Sequence, residues 1–296
     1  MGGRALLPLG ITVRRFSNEE LAATQVEIKQ LLEDVGCTEV WFPKGILDKE
    51  DHGDLDVYYS HPNINLVEAL GLKRHVKNGK MIHTPWGKDQ DLQIDFIKTP
   101  YHEWATTKLF YDNGDLGNMI GKVARRYNMT FTHHGLYELY KASDGNTHRI
   151  CMSTDPEDIC QILRLDHTKI SRGFDSEEDL FKFILDWDLS KPSMYSLDNI
   201  RASDRIRNKK RPQYMRLLEY LTKHGTEDKD CGFPYTWMVN HHEMEMQMHE
   251  IEGNIAKNRE LRVKRKIIVD KLMKEGYSGK ELGEKIKEYE NTEQKT

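Results

Sequence analysis

The sequence predicts an α+β fold: a mixed sheet with flanking helices, then a small α/β segment, then an α-helical C-terminal region. Three observations carry this. Short alternating apolar–polar runs recur between helical patterns up to about residue 168. From about residue 170 strand signals fade and long, highly charged helical runs replace them. Two of the alternating runs also carry aspartates, which a plain apolar sheet does not tolerate.

In order along the chain, Ser17-Asn18-Glu19-Glu20 is a capping box for a helix whose apolar positions include Leu21, Val26, Ile28 and Leu31. Gly36 ends it, and Thr38–Phe42 reads as a strand. Asp54–Ser60 alternates as a second strand, Pro62 starts a short helix through Leu70, and a polar, Gly-containing stretch follows. Leu92–Lys98 is the third strand. Helices are expected near Tyr101–Phe110 and from Asp115 to about Tyr127. Met129–Phe131 and Gly135–Lys141 read as extended, and Ser143-Asp144-Gly145-Asn146 is a turn before Arg149–Met152. Thr154-Asp155-Pro156-Glu157 caps a helix through Leu163, and Ser176–Trp187, Gln213–His224 and Glu243–Met273 are helical.

The bulk numbers restrict the class. At 296 residues, 38% hydrophobic and 31% charged, the chain suits a globular protein rather than a disordered or fibrous one. No run reaches the roughly 20 apolar residues of a membrane span, and the N-terminus lacks secretory and myristoylation signals, so a soluble intracellular protein is expected, cytoplasmic or nuclear. Cys37, Cys151, Cys160 and Cys231 form no C-x-x-C pair and predict reduced thiols. The net charge of -4 does not advertise nucleic-acid binding, although local patches decide that question.

The chemistry concentrates in HGDLDVYYS. Asp54 and Asp56 are two apart on a predicted strand and leave the same face. Two such carboxylates repel unless a cation lies between them, and oxygen ligands select Mg2+ or Mn2+. Gly53 allows close backbone approach to a phosphate chain. Asp95, within the apolar strand LQIDFI, is costly there unless it is paired or coordinates metal. Three acids on neighbouring strands match the need of two-metal phosphoryl transfer, whereas D-x-D alone more often marks only the polar face of a surface strand.

The ordered series GDLDV, QIDFI, LFYDNGDLGNMIGKVARRYNMTFTHHGLY and ICMSTDPEDICQILRLD resembles the nucleotidyltransferase superfamily of DNA polymerase beta, and more closely the family X DNA polymerases. The resemblance runs from about Ile11 to Asp166. It implies a nucleotidyltransferase palm over 1-100, a thumb-like nucleotide- and template-binding segment over 101-168 and a helical C-terminal region over 169-296. Asp54, Asp56 and Asp95 would be the catalytic metal ligands. Phe110, Tyr111 and Gly114 would line the sugar and base pocket, with Asn118 and Lys122 facing the base or template. The implied reaction adds nucleotides from an NTP or dNTP to the 3′-hydroxyl of a DNA (or RNA) primer end, releasing pyrophosphate. The family's Gly-Ser phosphate cradle falls at Pro43-Lys44, where proline has no N–H to offer. Lys44 charge and the Gly45 amide are the expected substitutes, with Lys49 a further candidate. Gln93 stands where a basic residue usually precedes the third acid.

Arg201–Arg211 sets six basic residues against Asp204, and Lys257–Lys274 is similarly basic; both suit phosphate contacts or solvated helix faces. In NHHEMEMQMHE no H-E-x-x-H spacing occurs, which favours a charged helix with a methionine-lined packing face. His133-His134 reads as structural. GYSGKELG faintly resembles a tail segment of tRNA CCA-adding enzymes. Two alternatives therefore stand beside the polymerase expectation: a template-independent RNA nucleotidyltransferase and an inactive nucleic-acid-binding relative. Oligomeric state is not legible.

Overall fold

Ser17 opens α1 (Asn18–Asp34) with both halves of the capping box. Its hydroxyl accepts from the Glu20 amide at 3.2 Å, and the Glu20 carboxylate accepts from the Ser17 amide at 3.0 Å. The buried stripe is Thr24, Ile28 and Leu32, whereas Val26 is 73% exposed. Val26 was expected on the apolar face, but two residues turn a helix by about 200°, so it lies opposite Ile28. Gly36, at φ +86°, takes the left-handed conformation that turns the chain toward the sheet.

The computed structural model describes residues 5–46, 48–61, 63–225, 228 and 240–293, and side chains as far as 287. After β1 (Phe16–Ser17) come β2 (Glu39–Trp41), β3 (Asp51–His52), β4 (Leu55–Ser60), α2 (Leu66–Ala69), β5 (Val76–Asn78), β6 (Met81–Trp86) and β7 (Leu92–Lys98). β1 and β3 form a short antiparallel pair. The main sheet has order β2-β4-β7-β6-β5, with β4 and β7 parallel and the other neighbours antiparallel. It is a mixed sheet, as expected.

Two expectations change here. The helix expected from Pro62 starts at Leu66, and Pro62 itself lies outside the described residues. The polar stretch before Leu92 contains a hairpin, β5–β6, turned by Gly79 at φ +59°. Pro85 does not prevent it. β5 begins opposite His83, so Pro85, paired with Gln93 of β7, has a strand neighbour on one side only.

One face of the sheet is apolar. Leu55, Val57 and Tyr59 of β4 join Leu92, Ile94 and Phe96 of β7 and the α1 residues Ile28 and Leu32 in a buried cluster. Each fully buried Leu, Ile or Phe contributes about 1.5–3 kcal/mol. Strand periodicity then puts every intervening residue, the aspartates included, on the opposite face.

Next come α3 (Trp104–Tyr111), α4 (Leu116–Arg126), β8 (Met129–Thr132), β9 (Gly135–Lys141) and β10 (Thr147–Ser153), with the three strands in order β10-β9-β8. α5 (Pro156–Ile162), α6 (His167–Arg172), α7 (Glu177–Asp186), α8 (Ala202–Asn208) and α9 (Pro212–His224) follow. α10 (His241–Lys274) and α11 (Gly279–Glu293) complete a helical C-terminal region. The chain folds as two compact units, one of Met1–Glu138 with Cys151–Val239 and the other of Leu139–Ile150 with Asn240–Thr296. Within the second unit, Glu252 accepts from the Tyr140 hydroxyl at 2.7 Å and the Ser143 amide at 3.0 Å. The methionine face expected on α10 is partial: Met244 is buried and Met246 exposed.

Cys37 and Cys160 are buried free thiols, and Cys231 lies outside the described residues. Among the described residues no helix is long and apolar enough to cross a membrane.

Candidate functional site

The polar face of the main sheet is built by register. Asp56 of β4 pairs directly with Asp95 of the parallel strand β7, and Asp95 pairs with His83 of β6. Asp54, two residues before Asp56 and just ahead of the strand, shares that face. Three carboxylates thus meet in partly desolvated surroundings. Burial, then repulsion from Asp54 and Asp95, pushes the Asp56 carboxyl up to about 8. Burial and Asp95 raise that of Asp54 as well.

Asp95, 5% exposed, is held by two bonds to one oxygen. His83 Nδ1 lies 2.8 Å from Asp95 Oδ1, and Gln93 Nε2 donates to the same atom at 2.9 Å. The bond to Asp95 raises the His83 pKa against the opposing effect of burial. Gln93 therefore serves the third acid as a neutral donor, and the basic partner comes from the next strand. Sequence reasoning missed His83 because it belongs to the unrecognised hairpin; the Asn78-Gly79 dipeptide was the signal that could have found it.

An aromatic row leads away from the acids. Tyr58, two residues beyond Asp56, packs against Trp41 (4.8 Å between centroids) and Tyr111 (5.3 Å). Burial and the Asp56 charge push the pKa of both tyrosines up. Tyr111 touches Phe110 at 4.9 Å. Phe110 in turn lines a cavity of about 360 Å³ together with Asn118, Lys122, Arg125, Arg201 and Arg207. Of the five residues expected to form a base and template pocket, Phe110, Asn118 and Lys122 share this cavity.

Gly114 and Tyr111 are not among its lining residues. Gly114, at φ +68°, is needed where it is: a Cβ there would strike the Gln213 amide, and Gln213 Oε1 accepts from the Asp115 amide at 2.7 Å. Lys122 is engaged with Asp204 at 3.0 Å, and Asn118 donates to Asn208 Oδ1 at 3.2 Å, so both bind α4 to α8. Within the Arg201–Arg211 cluster Arg205 donates to the Leu197 carbonyl and Arg211 pairs with Asp115, whereas Arg201, Arg207, Lys209 and Lys210 are exposed.

The loop expected to meet a triphosphate is docked on protein. The Lys44 amide donates to Asp112 Oδ1 at 2.6 Å, its ammonium donates to the Ser171 carbonyl at 3.1 Å, and its carbonyl accepts from the Asn113 amide at 2.8 Å. Burial raises the Asp112 carboxyl to about 6 despite Lys44. A Cβ on Gly45 would meet only the His52 ring edge, in ordinary contact. Gly53 is buried between β3 and β4.

A second cluster has tighter spacing. Glu103, His133 and His134 each offer a ligand atom, all within 4.8 Å of one another, and could coordinate a metal ion. Among the described residues the three aspartates are not drawn together that closely. Burial and the neighbouring His134 lower the His133 pKa. The sheet thus carries a polar, acid-lined face, and the separate His/Glu cluster could coordinate a divalent metal ion. No protein-family model matches the chain, and no curated protein matches it.

Proposed function

We propose that this chain is a family X-like nucleotidyltransferase, with a palm formed by the main sheet and a minimal thumb around α4. It would transfer a nucleotidyl group from an NTP or dNTP to a polynucleotide 3′-hydroxyl and release pyrophosphate. The observation carrying this is the register that sets Asp56 beside Asp95, with Asp54 on the same face, at a cost visible in the raised Asp56 carboxyl. Such a donor set fits Mg2+ or Mn2+, because a hard cation relieves the repulsion and accepts oxygen ligands.

Asp54, Asp56 and Asp95 would hold the metal, which when bound supplies charge stabilisation at the phosphoryl oxygens and a lower hydroxyl pKa. His83 and Gln93 both bond Asp95 Oδ1 and so orient the carboxylate. Oδ2 is the acceptor we assign to the proton of the attacking hydroxyl. The primer oxygen then bonds the α-phosphorus while the bond from that phosphorus to the bridging oxygen of pyrophosphate breaks. Phe110 and Tyr111 offer aromatic surface to the sugar and base. Lys122, Arg125, Arg126, Arg201 and Arg207 against Asp204 give the adjoining cavity a cationic lining for phosphates. The dual use of Lys44 as a loop anchor favours these cavity residues over Lys44 as the phosphate contacts.

The test is incorporation of labelled nucleotide, with pyrophosphate release, on gapped DNA and on tRNA lacking its CCA end. Wild type should extend the DNA in Mg2+ or Mn2+, and Asp95→Asn should lose at least about a hundredfold. Extension of the tRNA alone would select the RNA enzyme. A folded wild type that binds DNA but extends neither substrate would leave only the inactive relative.

A further inference from the structure

The pairing of Thr132 with Gly135 leaves His133 and His134 as the two-residue loop of the β8–β9 hairpin. Consecutive side chains on a strand point to opposite faces, but here the turn brings both imidazoles together, with ring centroids 3.8 Å apart. The loop backbone is tied on several sides. The His134 amide donates to Thr132 Oγ1 at 3.2 Å, the Tyr137 hydroxyl donates to the His134 carbonyl at 3.2 Å, and Thr107 Oγ1 donates to the His133 carbonyl at 3.4 Å. Glu103, immediately before α3, faces the loop with Oε1 3.1 Å from His134 Nδ1.

We propose that Glu103, His133 and His134 form a second metal site, for a zinc-class ion rather than magnesium, with water completing the shell. Two ligands on one tetrahedral zinc stand about 3.4 Å apart. The Glu103–His134 separation already meets this, and the full set, within 4.8 Å, closes on an ion by small side-chain rotations. Two imidazole nitrogens and one carboxylate suit zinc, whereas magnesium prefers an all-oxygen shell that keeps several waters. An ion here would clamp the start of α3 to the hairpin loop. It would also hold the His133 ring against Phe110 (6.2 Å) and Tyr111 (5.8 Å), the aromatic surface next to the acids. The site is independent of the three aspartates and of the activity proposed for them.

The experiment is zinc titration of the chelator-treated full chain by equilibrium dialysis, with cobalt substitution read in the visible spectrum. Wild type should take up one tightly held equivalent that excess Mg2+ does not displace, and cobalt should show tetrahedral d–d bands. His134→Asn and Glu103→Gln should each weaken binding at least tenfold, with circular dichroism confirming the fold; Glu103→Gln, a near-isosteric change, keeps the test valid should His134→Asn misfold. Asp95→Asn and the double variant His241→Asn/His242→Asn should retain the equivalent. Absence of tight zinc binding, its survival in Glu103→Gln, or its loss in Asp95→Asn or the α10 variant would each overturn the proposal.

Discussion

Replacing Asp56 by asparagine is expected to stabilise the metal-free protein at neutral pH, an unusual outcome for a change in a sheet interior. Burial, then repulsion from Asp54 and Asp95, pushes the Asp56 carboxyl up to about 8 in the folded chain from an ordinary 3.8. Between those values the folded protein retains a proton that the unfolded chain has released. Stability contributed by this group is therefore intact below about pH 4 and declines as pH rises toward 8, by about 1.4 kcal/mol per pH unit. Carried to pH 7, the slope amounts to about 4 kcal/mol. Asp56 keeps some exposed surface and shares its repulsion with Asp54 and Asp95, which reduces the figure to about 2 kcal/mol. Asparagine keeps the shape, loses the charge and removes the penalty. Urea unfolding in chelator across pH 5 to 8 should show a higher midpoint for Asp56→Asn at pH 7 and a flatter dependence on pH. Added Mg2+ should stabilise wild type more than the variant. Equal midpoints at pH 7 with parallel pH dependences would refute the reasoning, because the acids would then carry no mutual strain.

His83→Gln should cost about 1–3 kcal/mol near pH 6, where protonated His83 bonds buried Asp95. Because the folded His83 pKa is raised, that contribution is complete below the unfolded value and fades as pH rises through the folded one. The deficit of the variant in urea should therefore shrink at alkaline pH. Gly117→Ala should destabilise by about 1–3 kcal/mol or more, since the added methyl meets the Phe110 carbonyl of the preceding helix, and thermal melting will read it. The two α1 positions should separate cleanly by the same measurement: Ile28→Ala about 2–5 kcal/mol, Val26→Ala within about 0.5 kcal/mol.

Local chemistry is what the amino-acid sequence by itself determined. The Ser17/Glu20 cap, the alternation that puts Asp54 and Asp56 on one strand face and Asp95 on another strand, and the helical character after residue 170 all follow from neighbours a few residues apart. Such signals act within a turn or a strand, and periodicity records them directly. Where alternation is weak or interrupted they fail, as in HTPW, where Pro85 and a polar face conceal β6. Strand order was the decision of the tertiary structure. Placing β6 beside β7 supplied Asp95 with His83, and packing α3 against the β8–β9 turn brought Glu103 to His133 and His134. These partners are separated by 12 residues in one case and about 30 in the other. The Asn78-Gly79 turn marks the hairpin locally, but the burial of the apolar sheet face and the closure of the helices on it set these partners side by side.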